Sequence, residues 1–116
     1  MAVLVGRQFE ATTGSARIFG NVFDNYQKNG PTVSNTGSHA EIAYNRMLGI
    51  GPTAVIAQNG IQASGGATAE IRHNFVSGHI YAPGTVVSTG ILLFQSGDVL
   101  TDHNTLTANS SRVARS

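Results

Sequence analysis

The chain has 116 residues, which suits one domain; hydrophobic residues make up 41% of it and charged residues only 11%. This composition excludes a mainly disordered chain, and a net charge of +1 gives no support for a nucleic-acid or anionic-membrane partner. The absence of cysteine excludes a disulfide-stapled scaffold and a thiolate zinc site.

Residues 1–13 stand outside the pattern that fills most of the chain. Their segment "AVLVGRQF" begins apolar and turns polar, so we expect an incomplete first rung or an apolar cap. The segment lacks the basic n-region and the length of a signal peptide. No apolar run reaches the roughly 20 residues that span a bilayer. We therefore expect a soluble chain, whose compartment the sequence does not specify.

A repeat of about 30 residues occupies residues 14–108. A small residue, an aliphatic residue two positions later and an asparagine three positions after that recur, with a weaker last copy. The asparagines are spaced 24, 29 and 30 residues apart, at Asn21, Asn45, Asn74 and Asn104. A second phrase recurs in the same register and contains Gly30, Gly60 and Gly90.

Within each copy, apolar and polar residues alternate, as Ala69 and Ile71 alternate with Glu70 and Arg72. Period two predicts strands, and the flanking Gly and Asn predict turns. One such unit cannot bury its apolar face alone, whereas stacked copies share a continuous core. The repeat therefore predicts an all-β coil whose strands pair in parallel, one repeat apart.

The alternation, followed by Asn and then the "GI" phrase, resembles the right-handed parallel β-helix repeat of pectate-lyase-like proteins. The resemblance implies an all-β fold, a short right-handed parallel β-helix (solenoid) of about four rungs over residues 14–108. It also implies a ladder of stacked asparagines at an inner bend, where side-chain amides bond each other and the backbone. Many members of that family act on acidic polysaccharides as lyases, hydrolases or epimerases, and many have no known activity.

The end of the chain, residues 109–116, is polar and is expected to form a flexible tail. The C-terminal end of the coil then has no evident cap, and an uncovered end favours pairing. Since a short coil exposes much of its surface at its ends, we expect a homo-oligomer, with a symmetric dimer favoured.

Stacking also predicts one polar patch on an outer strand face. Its candidate catalytic residues are Glu41, Glu70, Arg72 and Asp102. The resemblance implies that such a patch could bind Ca²⁺ and remove a proton beside a uronate carboxyl, although the chain has no cluster of aspartates. The other interpretation is a charge ladder, including Arg17, that keeps the face hydrated and in register. Ca²⁺ is expected only for an enzyme; otherwise no cofactor is expected.

Two histidines, His73 and His103, precede an asparagine directly and are weak candidates for ligand binding beside Asp102. The same slot holds Gly20 and Tyr44 in the other copies. Glycine suits positive φ and His tolerates it, so the backbone of a bend explains the slot without a metal. With no complete ligand set visible, no metal is expected.

The tyrosines Tyr26, Tyr44 and Tyr81 could stack on sugar rings if they share an exposed groove. Tyr81 is the strongest of these ligand-binding candidates, because it lies in residues 78–90, the longest expected loop. Phe23 and Phe94 are expected to fill the core or an inner bend.

Together these features favour a non-catalytic β-helix module for interaction or self-assembly, with carbohydrate binding as a further expectation. The alternative is a fragment or small member of a carbohydrate-active β-helix enzyme, a polysaccharide lyase or epimerase. The expected partners are a second copy and a polysaccharide, and neither nucleic acid nor membrane. No GxSxG, Walker or HExxH motif supports another chemistry.

Overall fold

A computed structural model describes residues 1–83 and 88–116 of the chain. These residues form 13 strands and one short 3-10 helix, Gln8–Glu10. In chain order the strands are β1 (Val3–Val5), β2 (Ser15–Phe19), β3 (Val22–Phe23), β4 (Pro31–Ser34), β5 (His39–Ala43), β6 (Arg46–Thr53), β7 (Asn59–Ser64), β8 (Thr68–Arg72), β9 (Phe75–Tyr81), β10 (Thr89–Phe94), β11 (Val99–Asp102), β12 (Thr105–Thr107) and β13 (Ser111–Arg115).

The strands stack into three parallel sheets that wind into a β-solenoid. The first sheet has the order β1-β4-β7-β10-β13, the second β2-β5-β8-β11 and the third β3-β6-β9-β12. Each strand therefore pairs with the strands one repeat before and after it, as in the parallel pairing of Ile42 with Ile71. The all-β parallel coil expected from the alternation is confirmed. The hand of the coil stays a prediction.

The predicted asparagine ladder is confirmed at the bend between the second and third sheets. The Nδ2 group of Asn21 donates to Oδ1 of Asn45 at 3.2 Å, that of Asn45 to Asn74 at 3.1 Å, and that of Asn74 to Asn104 at 3.0 Å. The backbone N–H of each lower asparagine donates to the same oxygen. The ladder thus satisfies polar groups that the tight bend turns away from water.

A second, shorter ladder runs along the edge of the first sheet, at residues that directly precede the repeated glycines. The Nδ2 group of Asn59 donates to Oδ1 of Asn29 at 3.1 Å, and the N–H of Thr89 donates to Oδ1 of Asn59 at 3.1 Å. Asn29 and Asn59 are both buried. The "KNG" and "QNG" phrases contain this ladder, which the spacing of the glycines alone did not predict.

The repeated glycines mark places where successive rungs approach too closely for a side chain. A Cβ atom on Gly30 would lie 2.2 Å from the carbonyl oxygen of Gly60, and one on Gly60 would lie 2.5 Å from that of Gly90. Because the obstacle is backbone, it cannot rotate away. Close stacking of the rungs therefore explains the spacing of this glycine phrase.

The core lies inside the coil and is built from inward-facing residues in register. Each sheet supplies at least one stack of apolar side chains that are fully buried in the middle of the coil. These stacks include Ile61 and Ile91 from the first sheet, Ile42 and Ile71 from the second, and Met47 and Val76 from the third. Alternation along each strand sends the remaining side chains outward.

Phe94 departs from the expectation that it fills the core, because its side chain is 45% exposed. Leu93 is buried, and neighbouring residues in a strand point to opposite faces, so Phe94 points outward. Phe23, by contrast, packs partly buried against the core. The alternation of side chains along β10 therefore determines the direction of Phe94, although its side chain is apolar.

Both ends of the chain contribute strands to the first sheet. Val3–Val5 form β1 and pair with β4, so part of residues 1–13 makes a first rung. Ser111–Arg115 form β13, which pairs in parallel with β10, and so the expected flexible tail over residues 109–116 is wrong for this segment. The edge of β10 offers unpaired backbone groups, and a mostly polar segment can satisfy them.

The described residues include no helix of the length and hydropathy needed to cross a membrane.

We expect the Asn74→Ala variant to lose about 3 kcal/mol of unfolding free energy, because it removes a buried amide bonded to both neighbouring rungs. Asn21→Ala is the matched control and should lose about 1 kcal/mol, since Asn21 is exposed and ends the ladder. Urea denaturation measures both values. Equal losses would contradict a cooperative role for the ladder.

Candidate functional site

The predicted polar patch lies on the outer face of the second sheet. Glu41 and Glu70 are directly opposite each other on β5 and β8. Arg17, on β2, donates from Nε to Oε2 of Glu41 at 3.2 Å. Both the ladder of outward charges and its register are therefore as the repeat predicts.

The other two candidate residues of the patch, Arg72 and Asp102, lie opposite each other on β8 and β11. Within residues 1–83 and 88–116 they form no ion pair with each other, and the buried Nε of Arg72 has no hydrogen-bond partner. Asp102 lies instead against His103, with Oδ1 2.6 Å from Nδ1. The four candidates share a face, but they do not converge on one point.

His39, which is not among the predicted residues of the patch, completes a tighter cluster. One ligand atom each from His39, Glu41 and Glu70 lie within 4.8 Å of one another, and all three residues are half-buried. The Nδ1 atom of His39 lies 2.7 Å from Oγ1 of Thr68 on the neighbouring strand. The signal was present, since His39 lies two residues before Glu41 in one strand and so shares its face.

A cavity of about 450 Å³ adjoins this cluster at the corner between the first and second sheets. His39 and Glu70 line it from one side, and Arg115, at the end of β13, lines it too. Asp98 adds a second carboxylate to the lining. The cavity thus combines carboxylates, an imidazole and a guanidinium with apolar lining residues, and its lining includes a residue of β13.

The predicted slot before each asparagine forms a column of stacked rings along an outer bend. The ring centroids of Tyr44 and His73 are 5.0 Å apart with planes at 1°, and those of His73 and His103 are 5.0 Å apart at 13°. All three residues have positive φ, as does Gly20 below them. The bend interpretation is therefore confirmed, while a ligand for His73 and His103 stays a prediction.

The three tyrosines do not share a groove. Tyr26 is buried, so the expectation that it could stack on a sugar ring is wrong; Tyr44 is exposed in the ring column, and Tyr81 is half-buried at the end of β9. The expected loop around Tyr81 is partly strand. Its residues 84–87 lie outside the described residues.

Tyr26 belongs to a buried polar network with His79 and Asn109. The Tyr26 hydroxyl donates to Nε2 of His79, and both the backbone N–H and the Nδ1–H of His79 donate to Oδ1 of Asn109, at 3.1 and 2.7 Å. Asn109 donates from Nδ2 to the carbonyl of Val76 at 3.0 Å. His79 and Asn109 therefore repeat the bonding of the asparagine ladder at another bend.

Burial shifts both titrating groups of this network towards their neutral forms. It lowers the pKa of His79, although the hydrogen bond with Asn109 acts in the opposite direction. It raises the pKa of the Tyr26 hydroxyl. Both side chains are buried, so the pair acts as a structural network that is most stable while His79 is neutral.

Comparison with protein-family models, curated proteins and solved structures finds no match to this chain.

We expect the stability of the protein to fall as the pH drops below about 6.5, the ordinary pKa of histidine. Because the pKa of His79 is lowered in the folded state, the unfolded state binds more protons at this residue. For one proton, the free energy of unfolding falls by up to about 1.4 kcal/mol for each unit that the pH drops. The loss continues until the pH reaches the folded pKa. Urea denaturation at pH 8, 7, 6 and 5 measures this dependence.

The matched variants are His79→Asn and His73→Asn, since His73 is exposed at a bend where Asn tolerates positive φ. His79→Asn should flatten the acid dependence, and His73→Asn should leave it unchanged. The same slope in all three proteins would show that another group causes it.

Proposed function

We propose that the chain is a non-catalytic β-solenoid module that self-associates through the end of the coil formed by β11, β12 and β13, here called the C-terminal end. The observation that carries this proposal is that the core opens at this end. One inward stack from each sheet finishes at Thr101, Leu106 or Val113, and these residues line a cavity of about 180 Å³ together with Ile91.

The two ends of the coil differ in how well they cover the core. Near the first rung, the inward residues Val5 and Ile18 are only 6% and 7% exposed. Val113, in the inward register of Ile91, is 43% exposed. Burying such apolar surface contributes roughly 25 cal/mol per Å² towards an assembly, before the entropy cost of association is subtracted. The C-terminal end is therefore the better candidate interface.

Backbone edges at the C-terminal end are also available for pairing. The strands β11, β12 and β13 each stand at the end of a sheet, so one edge of each has no strand partner among the described residues. Unpaired edges are templates for another chain. A second copy that covers the C-terminal end would hide both the edges and the apolar opening, and a two-fold arrangement does so for both copies at once. We therefore favour a symmetric dimer.

A relationship to pectate-lyase-like proteins and an affinity for polysaccharide belong to the same proposal. The ring column of Tyr44, His73 and His103 offers exposed edges, and Tyr81 offers a half-buried ring. Aromatic rings with one polar end suit a partner that combines apolar faces and hydroxyl groups. Fold likeness by itself does not assign a ligand, so binding assays decide this part.

The second candidate function is a polysaccharide lyase or epimerase using Glu41, Glu70, Arg72 and Asp102. The observation that favours it is the cavity beside Glu70, which is large enough for part of a sugar. In this candidate, a carboxylate-bound Ca²⁺ would be required, and Arg72 would face an acidic sugar.

This candidate predicts turnover of a uronate polysaccharide, measured as new unsaturated ends or altered sugar stereochemistry. Glu70→Ala and Arg72→Ala should each lower the rate by about 100-fold or more, and Arg112→Ala should not. An absence of turnover with Ca²⁺ present, or equal rates in all variants, removes the enzyme candidate.

For self-association, we expect light scattering to show a mass that rises to that of a dimer with increasing concentration. Val113→Asp should shift the protein towards the monomer, because it places a charge in the apolar opening. Val55→Asp is the matched control, since Val55 is 90% exposed and lies outside the strands. It should leave the mass unchanged.

Thermal unfolding of both variants separates loss of association from loss of folding. A wild-type chain that remains monomeric at all concentrations overturns the proposal, and so does equal weakening by the two substitutions.

A further inference from the structure

The pair Glu41 and Glu70 carries an uncompensated negative charge on the outer face of the second sheet. The two residues are direct cross-strand neighbours, and like charges in that position destabilise a sheet. Arg17 pairs with Glu41. In the described parts of the chain, Glu70 has no ion pair. A cation bound between the two carboxylates would remove the repulsion that Arg17 relieves only in part.

His39 supplies a nitrogen donor to the same point, and its neighbours favour the tautomer that a metal requires. The Thr68 hydroxyl lies 3.5 Å from the Ser38 carbonyl, to which it donates. It then accepts from Nδ1–H of His39 at 2.7 Å. This leaves the lone pair of His39 on Nε2. An outer hydrogen bond that fixes one ring nitrogen is the usual arrangement around metal-binding histidines.

We propose that His39, Glu41 and Glu70 form a binding site for a divalent transition metal ion such as Zn²⁺. Imidazole nitrogen and carboxylate oxygen are both ligands of such ions, whereas Ca²⁺ takes oxygen ligands. The ligand atoms lie within 4.8 Å of one another. Nitrogen and oxygen ligands of one tetrahedral zinc ion are about 3.4 Å apart. Metal binding therefore requires the three side chains to move closer together by up to about 1.4 Å.

The neighbouring cavity gives the site an open side. It measures about 450 Å³ and is lined by His39 and Glu70, with Asp98 and Arg115 nearby. Three protein ligands with a free coordination position leave room for water or for an anionic group of a ligand. The three ligands lie on β5 and β8, whereas Arg115 of β13, at the C-terminal end, lines the cavity beside them. Zn²⁺ affinity and solution mass are separate measurements, so failure of the metal proposal is distinguished from failure of the self-association proposal.

Zinc binding to the full chain is measured by competition with a chromogenic chelator, alongside thermal unfolding with and without Zn²⁺ or Ca²⁺. We expect one Zn²⁺ per chain, a Tm that rises with Zn²⁺ concentration and a smaller response to Ca²⁺. His39→Ala and Glu70→Gln should each weaken Zn²⁺ binding by more than about 100-fold, and Thr68→Val by about 10-fold. The matched controls His103→Ala and Glu10→Gln should bind as the unaltered chain does.

Glu70→Gln gives a signature of opposite signs that a merely structural role would not produce. Because it removes a like-charge contact, it should raise the Tm of the metal-free protein while abolishing the rise caused by Zn²⁺. Unchanged Zn²⁺ affinity in His39→Ala or Glu70→Gln overturns the proposal. The proposal is also overturned if His103→Ala loses as much Zn²⁺ affinity as His39→Ala does, or if the unaltered chain binds no Zn²⁺.

Discussion

Parallel hydrogen bonding between successive rungs is the constraint on which the rest of this molecule depends. A rung of three short strands buries only part of its apolar surface, so each rung becomes stable only when another rung covers it. The same stacking requires identical bends to lie above each other. At those bends the asparagine ladder joins Asn45 to Asn74 through buried amides. Backbone pairing, the ladder and the core are therefore one cooperative system.

The same constraint organises the outer surface. Residues one repeat apart are forced into contact, whatever their chemistry. At the bends this produces a stack of rings, Tyr44 on His73 on His103. On the second sheet it brings Glu41 against Glu70, an arrangement with an electrostatic cost. A bound cation would remove the repulsion between these two carboxylates, and this is the physical reason for the metal hypothesis.

Ends are the weakness of a short coil, and the two ends here are covered differently. β13 extends the first sheet beyond the other two and closes one edge of β10. It also places Arg115 at the cavity beside His39. The stacks of the core nevertheless reach solvent at Leu106 and Val113. Self-association and the shape of the polar cavity thus both depend on how the last strands finish the coil.

The repeat by itself determined the register of the coil. Because two phrases recur at one period, the residues that stack were known: Arg17 with Glu41 and Glu70, and Asn21 with Asn45. Alternation also fixed which side chains face the core in the second sheet. These features are local and periodic, and so a single sequence contains them.

Only the tertiary structure decided what breaks the period. Phe94 points outward because of strand phase, and Ser111–Arg115 pair because β10 has a free edge. His79 takes an asparagine-like position and buries Tyr26, a contact between residues 53 apart. His39 joins the two glutamates through its side-chain orientation beside Thr68. Each outcome depends on a free edge, a rotamer or a distant neighbour, and the repeat pattern encodes none of these.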